Sequence, residues 1–237
     1  LDNIRRFLLK KVFVFITLIF IISAVYATEP LNKETHDFIK EKFKTIHWEK
    51  GECSKKTIKK LSLKKQTICN VKQYFEDGNS LKFIENSRKF GVENLARIDN
   101  YIDFFQMFCV YYFYLIADAT QKNPKEGLTL LFDIAKYTDG YIATNIQGII
   151  ALLFEKRPRL MIKNISLIKE LLEKQKNFPG LDDKLCVDKK YFFLFKYLNK
   201  SDGKQLLTFK YVMSRICYNF NNDIKGIDYL NTINNSK

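Results

Sequence analysis

Apolar residues along this chain recur at three- and four-residue spacing, the period of a helix. Nowhere do they alternate in the two-residue rhythm of a strand. Leu31, Phe38, Ile39, Phe43 and Ile46 fall on one side of a helix over residues 32–46. Asn32 stands where a helix cap is needed, and Glu34 and Asp37 lie near the positive end. Ile58, Leu61, Ile68, Val71 and Phe75 form a second apolar face beneath Lys55, Lys56, Lys59, Lys60, Lys64, Lys65 and Lys72. Asp77-Gly78-Asn79 is a turn signal, after which Ser80 can cap a short helix that stops at Gly91. Residues 101–117 are the most apolar stretch, apolar on nearly every face, and predict a central helix from Val92 to Gln121. Pro124 and Pro158 open two further helices, where a missing N–H costs nothing. A very apolar helix lies between them over 142–155. A last pair, 187–198 and 204–220, is joined by a turn at 199–203. The expected fold is all-α: a multi-helix orthogonal bundle or a short HEAT-like stack of helical hairpins, with a disulfide in the C-terminal hairpin.

Part of this pattern recurs. Leu115-Ile116-Ala117, Lys122, Pro124, Lys125, Leu128, Leu131 and Ile134 line up with Ile149-Ile150-Ala151, Lys156, Pro158, Arg159, Ile162, Ile165 and Ile168 at a constant offset of 34 residues. That is the length of one helical hairpin in a repeat protein. The two hairpins resemble helical-repeat units of the HEAT or tetratricopeptide kind, over about a third of the chain. Ile134 and Ile146 stand where tetratricopeptide units carry small residues, so the looser HEAT-like arrangement is the better match. The resemblance implies a surface for partners rather than a chemistry. It also implies that 125–137 and 159–174 are equivalent helices.

Composition narrows the class. Of 237 residues, 46% are hydrophobic, enough to build a core and to argue against wholesale disorder. Arg5, Arg6, Lys10 and Lys11 precede an apolar run over 12–22, and Val25 and Ala27 offer small side chains before Thr28. This is the arrangement of an export signal cleaved after residue 27; the run is too short for a membrane span. The remaining organisation expected is a basic helical N-terminal module over 28–90, a helical-hairpin core domain over 91–221 and a frayed tail over 222–237. The net charge of +14 favours an acidic or anionic partner.

Export fixes the reading of the five cysteines, because disulfides persist outside the cytosol. Cys109 lies in the apolar helix and is the odd one. Cys186 and Cys217 are equidistant from the 199–203 turn, and facing positions of an antiparallel hairpin come within disulfide range. Cys53 and Cys69 pair by elimination, on one condition. An unbroken helix from Lys55 would hold them about 20 Å apart, so the bond requires the helix to start near Lys64.

The chemistry of common enzymes is absent from the sequence. His36, Asp37, His47, Glu49, Glu52 and Cys53 gather ligand types, but without paired histidines one turn apart or a CxxC motif, so no metal is expected. There is no GxSxG and no glycine-rich phosphate loop, so neither catalytic residues nor a cofactor is assigned. The function expected is that of an exported, periplasmic or secreted, non-catalytic binding protein. Its partner would be a protein or an anionic envelope component, with possible peripheral membrane contact through the seven lysines Lys55 to Lys72 and no specific nucleic acid. The alternatives are an envelope enzyme with an unrecognised site and a toxin-neutralising immunity or inhibitor protein. A cleft with converging polar groups and displaced pKa values would favour the enzyme.

Overall fold

A computed structural model describes residues 30–45, 53, 61–96, 108–137, 140–175, 178, 184–199, 201–217 and 220. Every element in these residues is a helix. In chain order they are α1 (Lys33–Thr45), α2 (Leu63–Asp77), α3 (Ser80–Lys89), α4 (Val92–Ala96), α5 (Phe108–Lys122), α6 (Pro124–Tyr137), α7 (Gly140–Lys156), α8 (Pro158–Lys163), α9 (Ile165–Glu173), α10 (Lys184–Val187), a 3₁₀ helix (Lys190–Tyr197) and α11 (Gly203–Ile216). The expected export signal over 1–27, the greater part of the lysine segment before Leu61 and the expected tail over 222–237 lie outside the described residues.

Local chemistry sets most boundaries. Asn32 caps α1 by accepting from the Thr35 N–H at 3.0 Å. Ser62 caps α2. Gly78 ends α2 at φ 62°, the left-handed conformation that glycine adopts without strain. The cap of α3 is Asn79, which accepts from the Lys82 N–H at 3.0 Å, rather than the expected Ser80. Ser80 is instead buried in the first turn. Asp202 caps α11 through the Gln205 N–H at 2.9 Å.

The molecule is a bundle assembled around α6. This helix packs against α3, α4, α5, α7 and α9, while α1 and α3 close over α5 and α11 closes over α9. Contacts therefore reach back and forth across the sequence, unlike a stack in which each hairpin meets only its neighbours. One continuous core runs from Ile39 and Phe43 through Val71, Phe83, Tyr112 and Leu131 to Phe209 and Phe220. Residues on both sides of the boundary drawn at 90/91 belong to it.

The 34-residue match holds at the helix boundaries and fails beyond them. α5 and α7 end at Lys122 and Lys156, and α6 and α8 begin at Pro124 and Pro158. The second copy then breaks. Asn164 takes φ −102°, ψ 17°, and its Nδ2 donates to the Leu160 carbonyl at 2.8 Å. An asparagine that offers the backbone an alternative partner favours such a break. The packing faces differ as well. Leu130 and Phe132 are buried on α6, whereas their counterparts Asn164 and Ser166 are half-buried and exposed. Two equivalent uninterrupted helices over 125–137 and 159–174 are not present.

α5 and α6 approach each other closely at Gly127. A Cβ added to Gly127 would sit 2.7 Å from the Thr120 Cα and closer still to its hydroxyl. That hydroxyl is held by the Ile116 carbonyl at 2.7 Å. Glycine here gives backbone proximity, not a special dihedral. Thirty-four residues on, the same two positions hold Phe154 and Met161, both fully buried, so the second hairpin cannot close as tightly.

Both expected disulfides are formed. Cys186 and Cys217 have Cα atoms 5.2 Å apart, and Cys53 and Cys69 5.3 Å apart. The second bond comes with a helix start at Leu63, as its geometry demands. The arm carrying Cys186 is not the α-helix expected over 187–198. It breaks at Lys189, whose φ of 54° is unusual for a non-glycine residue, and continues as the 3₁₀ helix.

Candidate functional site

Two features qualify as sites: the lysine-rich segment and a cleft formed by α1, α2 and α5. Of the seven lysines, Lys55, Lys56, Lys59 and Lys60 lie outside the described residues. Lys64 falls in the first turn of α2. Lys65 is exposed on that helix. Lys72, two turns further on, is half-buried and pairs with Glu76 one turn away, so its charge is partly answered within α2.

The cleft has a volume of about 270 Å³ and is lined by Pro30, His36, Lys40, Tyr74, Phe75, Gly78, Asp118, Gln121 and Lys122. α1 supplies His36 and Lys40 at one-turn spacing. α2 contributes Tyr74 and Phe75 from its last turn, and Gly78, which ends it, leaves the rim low. α5 presents Asp118, Gln121 and Lys122 from its C-terminal turns.

Asp118 is the floor of this cleft. It is 8% exposed, and the Leu31 N–H donates to its Oδ1 across 87 residues of sequence. Gln121 Nε2 approaches the same oxygen at 3.4 Å, and Arg157 in turn donates to Gln121 Oε1. Burial pushes the carboxyl up to about 7, against the opposing pull of the Leu31 N–H, Arg157 and Gln121. Tyr74 is pushed up to about 12, chiefly by burial and then by Asp118. His36 meets Phe75 edge-on, with ring centroids 5.2 Å apart. Burial lowers its pKa, Asp37 opposes this, and Lys40 adds to the lowering. The Asp37 Oδ1 is 3.6 Å from Nδ1, beyond hydrogen-bond reach, and that nitrogen is buried without a partner. His36 is thus a wall of the cleft and not the surface residue its place in a first turn suggests.

Behind the cleft a buried polar network fixes α2, α3 and α5 together. Asn70 Nδ2 faces the Tyr112 hydroxyl at 2.9 Å, the Phe83 carbonyl at 3.1 Å and Ser87 Oγ at 3.2 Å. Ser87 and Tyr112 share a further hydrogen bond of 2.7 Å. Burial drives the Tyr112 phenol above its usual range, with Ser87 and Asn70 pulling it back. Such a network, fully partnered, specifies one arrangement of α2, α3 and α5, of which α2 and α5 line the cleft.

No three His, Cys, Asp or Glu side chains gather into a metal-binding group among the described residues. Cys53 is committed to its disulfide, and His47, Glu49 and Glu52 lie outside those residues. No described helix is long and apolar enough to cross a membrane. Compared with known proteins, the chain matches no family model, no curated protein and no solved structure.

The cleft residues carried little signal in the sequence. Asp118 had one: a carboxylate in the otherwise apolar and small run Leu115–Thr120 must be answered by a partner or lose its charge. Tyr74 and Gln121 had none, because nothing local shows that α1 folds back over α5.

Proposed function

We propose that this is a non-catalytic α-helical binding protein, periplasmic or secreted, that engages an acidic or anionic partner. Two disulfides fit an oxidising compartment. The observation that carries the reading is the charge around the cleft. Lys40 and Lys122 are exposed at its lining, and no ion pair among the described residues engages either. The single carboxylate beneath them accepts a backbone N–H at its Oδ1. The lysines of 55–72 add to the same sign of charge on the chain.

A second reading, an enzyme, draws on the displaced pKa values of Asp118 and Tyr74 in one cleft. Against it stands the use of those groups. Asp118 holds Leu31 and Gln121, and His36 Nδ1 has no hydroxyl, thiol or carboxylate within hydrogen-bond reach.

Retention on immobilised heparin tests the binding reading. Reversing Lys59, Lys60, Lys64 and Lys65 to Glu should lower the salt needed for elution by a clear margin, since exposed charges act through a screened field. Unchanged elution would remove the lysine segment from the partner surface.

A further inference from the structure

Resting on the anion-binding reading, we propose that the cleft between α1, α2 and α5 holds a small organic anion. Lys40 and Lys122 meet its carboxylate or phosphate group, and its planar body lies against Tyr74 and Phe75.

Size sets the first limit. A volume of about 270 Å³ falls just below the usual range of ligand pockets. It accommodates one ring with one charged substituent. Charge sets the second. The lining carries two exposed lysines and one acid, and that acid lies at the floor with its Oδ1 under the Leu31 N–H. The lining chemistry sets the third. Tyr74, Phe75 and Pro30 give apolar walls, while Gln121, already engaged with Asp118 and Arg157, lies beside Lys122. His36 packs edge-on to Phe75 beside this wall.

The cleft's groups are built in rather than accidental neighbours. α1 is seated on α5 through Leu31 and Asp118, and the Asn70–Ser87–Tyr112 network holds α2 to α5. The walls are therefore placed before any ligand arrives, which lowers the ordering cost of binding.

Phenyl phosphate is the probe, with phenol and inorganic phosphate as the uncharged and bodiless controls. Binding to the oxidised protein is followed by calorimetry and by amide chemical shifts. Phenyl phosphate should bind at least tenfold more tightly than either control and shift amides near 30–40, 74–78 and 118–122. Lys40→Gln with Lys122→Gln should weaken it at least tenfold without lowering the melting temperature. Benzoate in place of phenyl phosphate distinguishes a carboxylate ligand from a phosphate one, and binding of either supports the site. Failure of both to bind at 10 mM, shifts that map elsewhere, or binding unchanged in the double variant would each overturn the proposal. Heparin retention of the unsubstituted protein separates the two readings. If that protein is retained while it binds neither phenyl phosphate nor benzoate, the cleft proposal falls and the lysine-segment reading stands.

Discussion

Single residues govern how tightly this bundle closes. Gly127→Ala places a methyl group 2.7 Å from the Thr120 Cα, so a helix must move. A destabilisation of roughly 1–3 kcal/mol is expected from overpacking at such a site, read as a lowered denaturation midpoint. Adding Thr120→Ala removes the hydroxyl but not the Cα, so the double variant should recover only part of the loss. Full recovery would mean that backbone proximity does not limit the α5–α6 contact.

Asp118 makes stability depend on pH with a definite sign. Its folded pKa, about 7, lies above its ordinary value of 3.8, so the native state binds the extra proton in between. Its contribution is complete below the ordinary value and is lost as pH rises through 7, at up to about 1.4 kcal/mol per unit. His36 runs the other way: its lowered pKa removes stability as pH falls below its ordinary 6.5. The difference in unfolding free energy between wild type and Asp118→Asn cancels His36. That difference should swing in favour of the variant between pH 5 and pH 8. A flat difference would mean the carboxyl titrates alike in both states.

At the scale of elements, helix class and termini were legible because they depend on local chemistry. Asn32, Gly78, Pro124 and Pro158 do their work within a few residues of themselves. The hairpin geometry of Cys186 and Cys217 was legible too, since it required only a turn at equal distance from both. Breaks inside apolar runs were not. Asn164 and Lys189 interrupt segments whose periodicity continues straight through them. The cleft was hidden for a stronger reason. It exists only because α1 crosses back to α5, and no spacing within either helix states that. Non-reducing peptide mapping should return Cys53–Cys69 and Cys186–Cys217 as the two linked pairs. Replacing both cysteines of the second pair by Ser should cost about 4 kcal/mol, and of the first about 3 kcal/mol, following the loops of 31 and 16 residues they close. Any other linkage would contradict the arrangement of α2 or of the last two helices.

For the whole molecule, the decisive property is a single core laid over distant stretches of chain. The two disulfides sit toward its ends: one ties the segment before α2 to that helix, the other ties α10 to the end of α11. Between them the bundle depends on packing, with α6 at its centre. Lys40, Lys65 and Lys122 are exposed on its outside.

The bond from Leu31 to Asp118 spans 87 residues, and this orders the events of assembly. A chain that emerges N-terminus first can close the short 53–69 ring and lay α3 against α2 early. It cannot seat α1, because α5 does not yet exist. Until then Ile39 and Phe43, both buried in the finished protein, face water on an amphipathic helix. α1 is therefore among the later of the described helices to find its place, and until then its apolar face is exposed to misassociation.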